Sequence, residues 1–208
     1  RALAAGLPKP VAILNLGGVA NITAIGSDGA LLAFDTGMAS GLIDNWMQTQ
    51  GDVAYDAGGA IAASGQVDED RLAGMMADPW FAAPPPKSID REAFTIEAVR
   101  GMTLADGAAT LTAFSAAAVA RGIDHLSERP TCIHVAGGGR HNATLMAMLG
   151  ERIGVTVQSV DGLGWDGDAL EAQGFAYMAV RHLKGLPISF PGTTGAPEPM
   201  SGGVLFSA

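Results

Sequence analysis

Apolar and polar positions alternate in short blocks over the first fifty residues. Val11–Asn15 is an apolar run closed by an amide; Gly17-Gly18 interrupts it, and a second block resumes through Asn21 and Thr23. Asp28-Gly29 breaks the chain again before a third block, Ala30–Phe34. Blocks of this length, punctuated by Gly-Gly and Asp-Gly, predict three strands joined by tight turns. The third strand delivers Asp35, Thr36 and Gly37 to its carboxyl end. The period then changes, with Leu42, Ile43, Trp46 and Met47 recurring at the spacing of one helical face.

Residues 52–106 carry no such period and are rich in turns, with Ala57-Gly58-Gly59 and Pro84-Pro85-Pro86. A short helix is predicted over Asp68–Ala77, its acidic start favourable to the helix dipole. Trp80, Phe81 and Phe94 give this segment apolar bulk to bury, which marks an inserted subdomain rather than a linker. From Asp106 a long helix is predicted, with Leu111, Phe114 and Ala118 in one stripe, Val119, Ile123 and Leu126 beside it, and Arg129-Pro130 ending it. Thr131–Ala136 and Gly154–Gln158 read as strands, and Asn142–Arg152 and Asp168–Leu183 as helices. A three-strand meander followed by alternating helices and strands predicts an α/β fold: a mixed five-stranded sheet with helices on both faces, in ribonuclease-H-like order. We expect a single lobe over residues 1–208, with a helical and loop insertion at about 52–106.

Composition narrows the function classes. With 48% hydrophobic and 16% charged residues, the 208-residue chain can build a substantial core. A net charge of -9 speaks against the basic footprint of a nucleic-acid binder and against a polybasic membrane anchor. No apolar run approaches the roughly 18 residues of a spanning helix, and the N-terminus lacks a secretory pattern. The single cysteine, Cys132, reads as a structural thiol in an apolar strand, and a cytoplasmic location is expected. The four histidines are scattered without ligand spacing, so no metal ligands are assigned, and His134 reads as a core side chain.

Candidate chemistry gathers at the glycine turns and at Asp35. Backbone amides at Gly17 and Gly18, with a carboxylate nearby, suit a nucleotide's phosphates and a metal or an attacking water. Read blandly, the same stretch is a β-meander whose Asp35 caps a helix. Gly137, Gly138 and Gly139 end a strand and open a helix that Asn142 would cap. Asp168 and Glu171 stand in the D-x-x-E spacing of a capping box, and Glu171 could equally point into a cleft and bind a ligand. Lys87 is a candidate ligand contact, or simply a solvated cation.

Six motifs in order make a family resemblance specific: Asn15–Thr23, Phe34–Gly37, Asp78–Phe81, Pro86–Ser88, Ala136–Gly139 and Gly167–Ala172. Together they resemble the C-terminal lobe of the anhydro-N-acetylmuramic acid kinases, within the actin, hexokinase and Hsp70-type superfamily. That resemblance implies an enzyme dependent on ATP and Mg²⁺. It would open the 1,6-anhydro bridge of its amino sugar with water and phosphorylate O6, in peptidoglycan recycling. It implies Asp35 as the base, with Gly17, Gly18 and Asn21 at the phosphates and Gly137–Gly139 at the adenosine. Asn142 joins the nucleotide side, and Thr36, Gly37, Lys87 and Glu171 the sugar side. A homodimer is also implied.

Two departures stand out. The family commonly continues Asp-Thr-Gly with Pro-Gly-Asn or Pro-Ala-Asn, where this chain has Met38-Ala39-Ser40. Nor is there a Gly-Thr-Met-Ser-Gly-Thr-type phosphate loop, so the chain is expected to be one lobe of a longer enzyme, inactive alone, with Arg1–Gly6 the end of an interlobe helix. Competing expectations are another sugar kinase or phosphatase of the superfamily, or a non-catalytic lobe that binds nucleotide or a partner.

Overall fold

A computed structural model describes residues 1–206. The three apolar blocks form β1 (Val11–Leu16), β2 (Val19–Ile25) and β3 (Leu31–Met38), paired antiparallel in sequence. β4 (Cys132–Ala136) lies parallel to β1, and β5 (Thr156–Ser159) parallel to β4, giving the order β3-β2-β1-β4-β5. This is the predicted mixed five-stranded sheet.

The helices are α1 (Ser40–Gly51), α2 (Ala60–Ser64), α3 (Glu69–Met76), α4 (Leu104–Ile123), α5 (Ala143–Ile153), α6 (Leu170–Leu183) and the short α7 (Pro191–Thr194). α4 organises the molecule. One side packs Val119 and Ile123 against Leu14, Leu16, Ile22 and Phe34 of the sheet, with α5 alongside. Its other side meets α1 and the insertion through Leu111 and Phe114, which pack with Trp46, Leu72 and Phe81. Small residues make this double burial feasible: a side chain at Gly107 would lie 2.4 Å from the Trp46 ring. Phe81, Phe94 and Phe114 form an aromatic cluster with centroids 5.2–5.8 Å apart, so the insertion has its own apolar anchor.

Cap chemistry moves several boundaries. α4 starts two residues before Asp106, because Thr103 Oγ1 accepts the Asp106 amide at 3.1 Å. Asp68 caps α3 through the Arg71 amide, and Asn142 caps α5 through the Leu145 amide. The expected capping box before α6 does not form. Asp168 is drawn to Arg140, the Asp168 and Ala169 amides donate to Asp166, and the helix starts at Leu170. β3 also runs further than predicted, so Asp35, Thr36 and Gly37 lie within the strand rather than beyond its end.

The face away from α4 and α5 is thinly covered. Ala4, from the 3-10 turn Leu3–Gly6, packs there with Val11, Ile25 and Trp165, while α6 buries no residue. Among the described residues no helix is long and apolar enough to cross a membrane. Cys132 is a free, partly buried thiol at the start of β4, and burial pushes its pKa up. His134 is buried in β4 with Nδ1 3.2 Å from Gln158 Nε2, as a core histidine should be.

Candidate active site

The Gly17-Gly18 turn is seated on the start of α1. Gly17 O accepts the Ser40 amide at 3.0 Å, and Gly18 O accepts those of Ala39 and Gly41 at 3.0 and 3.2 Å. A side chain at Gly41 would come within 3.0 Å of Gly18 O, so the turn and helix approach this closely only because residue 41 is glycine. Met38 and Ala39 are buried, and Met38 fills the core beside Leu42 and Phe114.

Strand alternation puts Asp35 on the face opposite Phe34, and a bulge follows it. The β2–β3 register pairs Ala20 with Gly37 but Asn21 with Asp35, leaving Thr36 as the extra residue. Thr36 turns into the core, 1% exposed, and donates from Oγ1 to Ala20 O at 3.3 Å. Gly37 has φ +148° and lies against α4, where a side chain would meet Ala118 Cβ at 2.8 Å. The structure thus gives the side-chain position of Thr36 and the space beside Gly37 to the core, not to a cleft. Asp35 projects from the opposite face and does not cap α1, whose N-cap is Ala39 with no side-chain bond.

Following the register across the sheet, Asp35 stands opposite Asn21, Asn21 opposite Asn15, and Asn15 opposite Ala136. Directly paired residues share a face, so three polar side chains form one row beside the glycine turn. Asn15 was absent from the expected site residues. Its signal was present, since an amide closing an otherwise apolar strand has no core role.

Asp35 is partly buried and accepts the Ile89 amide on Oδ2 at 2.9 Å, while its own amide donates to Lys87 O at 2.9 Å. Burial pushes its pKa up, and the Ile89 hydrogen bond opposes that shift. Lys87 is itself engaged. Its Nζ donates to Trp80 O and Phe81 O at 2.9 and 3.1 Å and lies 4.2 Å from the Trp80 ring centroid. These contacts give Lys87 a scaffolding position that ties the insertion to β3 at Asp35.

The remaining candidates divide between two cavities. Gly138, Gly139 and Asn142 line one of about 450 Å³ together with Ser40, Asp44 and Tyr55. Asn21 and Glu171 line another of about 460 Å³ with Asn15, Thr23 and Trp165, on the thinly covered sheet face. Arg140, unforeseen from sequence, ties the end of β4 to the segment before α6. Its side chain is 4% exposed and donates to both oxygens of Asp168 at 2.6 and 2.9 Å, to Asp161 at 3.0 Å and to Gly137 O at 3.0 Å. Its guanidinium holds the Asp168 carboxyl below the usual carboxylate range. Gly137–Gly139 and the Gly167-Asp168 motif are thereby locked together.

A glycine turn, two amides and a partly buried carboxylate thus lie together at one end of the sheet. The family described as anhydro-N-acetylmuramic acid kinase matches residues 1–208. The chain belongs to the anhydro-N-acetylmuramic acid kinase family. Its similarity to the kinase of that name from Rhizorhabdus wittichii is 59% identity, over 98% of this chain and 56% of that protein. The Rhodospirillum rubrum kinase is 51% identical over 100% of this chain and 56% of its own length, and the Caulobacter vibrioides kinase 52% over 98% and 55%. The chain thus spans about 56% of the length of the curated kinase relatives it matches. Among solved structures, an activator of 2-hydroxyisocaproyl-CoA dehydratase from Clostridium difficile with bound ADPNP overlaps with a TM-score of 0.46 and 14% identity, covering 74% of this chain and 55% of that one.

Proposed function

We propose that this chain is the C-terminal lobe of an ATP-dependent kinase that opens 1,6-anhydro-N-acetylmuramic acid and yields N-acetylmuramic acid 6-phosphate and ADP. The observation that carries the reading is the Asp35–Asn21–Asn15 row beside the Gly17-Gly18 turn. Asp35 takes a proton from water, and the water oxygen bonds to the anomeric carbon. The C1–O6 bridge bond breaks with its electrons left on O6. O6 then accepts the terminal phosphoryl group as its bond to the ADP oxygen breaks. A carboxylate whose pKa is raised is a stronger base than an ordinary one, provided it is ionised at the working pH.

Gly17 and Gly18 face the phosphates, and the cavity bounded by Gly138, Gly139 and Asn142 takes the nucleoside. The cavity that Glu171 shares with Asn15 and Asn21 lies toward the sugar, with Lys87 supporting the cleft wall. Among the described residues no group of three His, Cys, Asp or Glu side chains converges. Mg²⁺ would arrive on the nucleotide's phosphates, with Asp35 the one carboxylate in the row beside it, and would neutralise phosphoryl charge. The length that the relatives carry beyond this chain supplies the facing lobe, and the enzyme works as a cytoplasmic homodimer.

The test is mass-spectrometric detection of sugar phosphate from ATP, Mg²⁺ and the anhydro sugar, using the enzyme at the relatives' full length. Product from the wild type but not from Asp35→Asn is expected. Product from both would remove Asp35 from the mechanism, and none from a folded wild type would overturn the reaction.

A further inference from the structure

Arg91 is a cation for which the reading so far has no use. Its side chain lies over the glycine turn: a side-chain carbon at Gly18 would be 3.6 Å from Arg91 Nε and 3.8 Å from Cζ. It also lines a cavity of about 610 Å³ on the same side, with Asp44, Gln48, Met38 and Phe94 around it. Among the described residues no carboxylate forms an ion pair with it, although the chain carries a net charge of -9. Glu92 lines the same cavity but is not paired with it. An exposed guanidinium left unpaired in an acidic chain, directly over a turn of glycines, is placed for an anion that arrives with a ligand.

The segment carrying it is anchored at three points. Lys87 O takes the Asp35 amide, Lys87 Nζ holds Trp80 O and Phe81 O, and the Ile89 amide is held by Asp35 Oδ2. Arg91 follows two residues after Ile89, so the carboxylate proposed as the base anchors the backbone segment that carries this guanidinium.

We propose that Arg91 binds the terminal phosphoryl group of the nucleotide above the Gly17-Gly18 turn and stabilises it during transfer. Resting on the kinase reading above, this adds a side chain to a phosphate site otherwise built from backbone. A guanidinium stays charged at every working pH and offers a planar fork that matches two phosphoryl oxygens. Negative charge spreads over those oxygens in the transition state, where a fixed cation lowers the barrier. The Asp44 carboxyl lines the same cavity but forms no ion pair with the guanidinium among the described residues.

Arg91→Ala and Arg91→Lys in the full-length enzyme, assayed with ATP and sugar each varied, test this. We expect kcat to fall about 100-fold or more in the alanine variant, with the KM for sugar within about twofold. Part of the rate should return on adding guanidinium ion to Arg91→Ala. An unchanged kcat overturns the proposal. So does an effect confined to the KM for sugar, which would assign Arg91 to the sugar's own carboxylate. A loss that neither lysine nor added guanidinium restores marks Arg91 as structural and overturns it equally. If the wild type itself makes no sugar phosphate, the kinase reading falls first and takes this proposal with it.

Discussion

Asp35 Oδ2 accepts the amide of Ile89 at 2.9 Å, a contact between β3 and the insertion that spans 54 positions of sequence. It joins the candidate base to the segment bearing Lys87 and Arg91. Asp35 therefore has two roles that a single substitution can separate. Asparagine keeps an oxygen for the Ile89 amide but cannot act as a base. Asp35→Asn should lower kcat by at least about 100-fold while leaving far-ultraviolet circular dichroism unchanged.

The same variant makes a stability prediction. Burial raises the folded-state pKa of Asp35, so the folded protein holds that proton more tightly than the unfolded chain does. Its contribution to stability is present at low pH and is lost as pH rises from the ordinary carboxylate value through the raised one. At pH 7 the melting temperature of Asp35→Asn should therefore equal or exceed that of the wild type. In the active enzyme, kcat/KM should fall on the acid side through a pKa above the ordinary aspartate value.

Arg140 and Asp168 obey the opposite sign. The folded-state pKa of Asp168 is depressed, first by its hydrogen bonds to Arg140, so its contribution is present above the ordinary carboxylate pKa and lost as pH falls through the depressed one. Asp168→Asn should lower the melting temperature at pH 7. The gap to wild type should close as the pH is taken below the ordinary range. Asp168 is exposed, so added salt should narrow the gap as well.

Lys87→Met should cost stability on the order of 2 kcal/mol, the scale of losing charged hydrogen bonds to two carbonyls. Denaturant titration measures this directly. A variant with full stability and a raised KM for sugar would show instead that Lys87 reaches the substrate.

Much of this architecture is legible in the chain. Apolar blocks between Gly-Gly and Asp-Gly mark β1 to β3, and the stripe of Leu111, Phe114 and Ala118 marks α4, because both patterns are local. Asp35 is visible as the carboxylate closing a strand. Its hydrogen-bond partner is not, because the Ile89 amide that it accepts lies 54 positions away. Arg140 escapes notice for a related reason, since its carboxylate partners lie 21 and 28 residues away. Thr36 and Gly37 sit beside Asp35 in sequence, but strand alternation turns Thr36 into the core and the bulge brings Gly37 to the same face, so adjacency to a candidate base does not make them cleft residues.

Gly37→Ala tests that geometry. A methyl there would meet Ala118 Cβ at 2.8 Å on a backbone with φ +148°. We expect destabilisation of roughly 2–3 kcal/mol from overpacking and backbone strain together. Gly37→Ala combined with Ala118→Gly should recover the part due to the clash.

The most direct test of the account is isotopic. The full-length enzyme, run in ¹⁸O-labelled water with ATP, Mg²⁺ and anhydro-N-acetylmuramic acid, should give a sugar phosphate carrying one ¹⁸O at the anomeric carbon and none on phosphorus. Label on phosphate with the anhydro sugar left intact would show that water attacks the nucleotide instead, contradicting the assignment of Asp35 as the base for bridge opening.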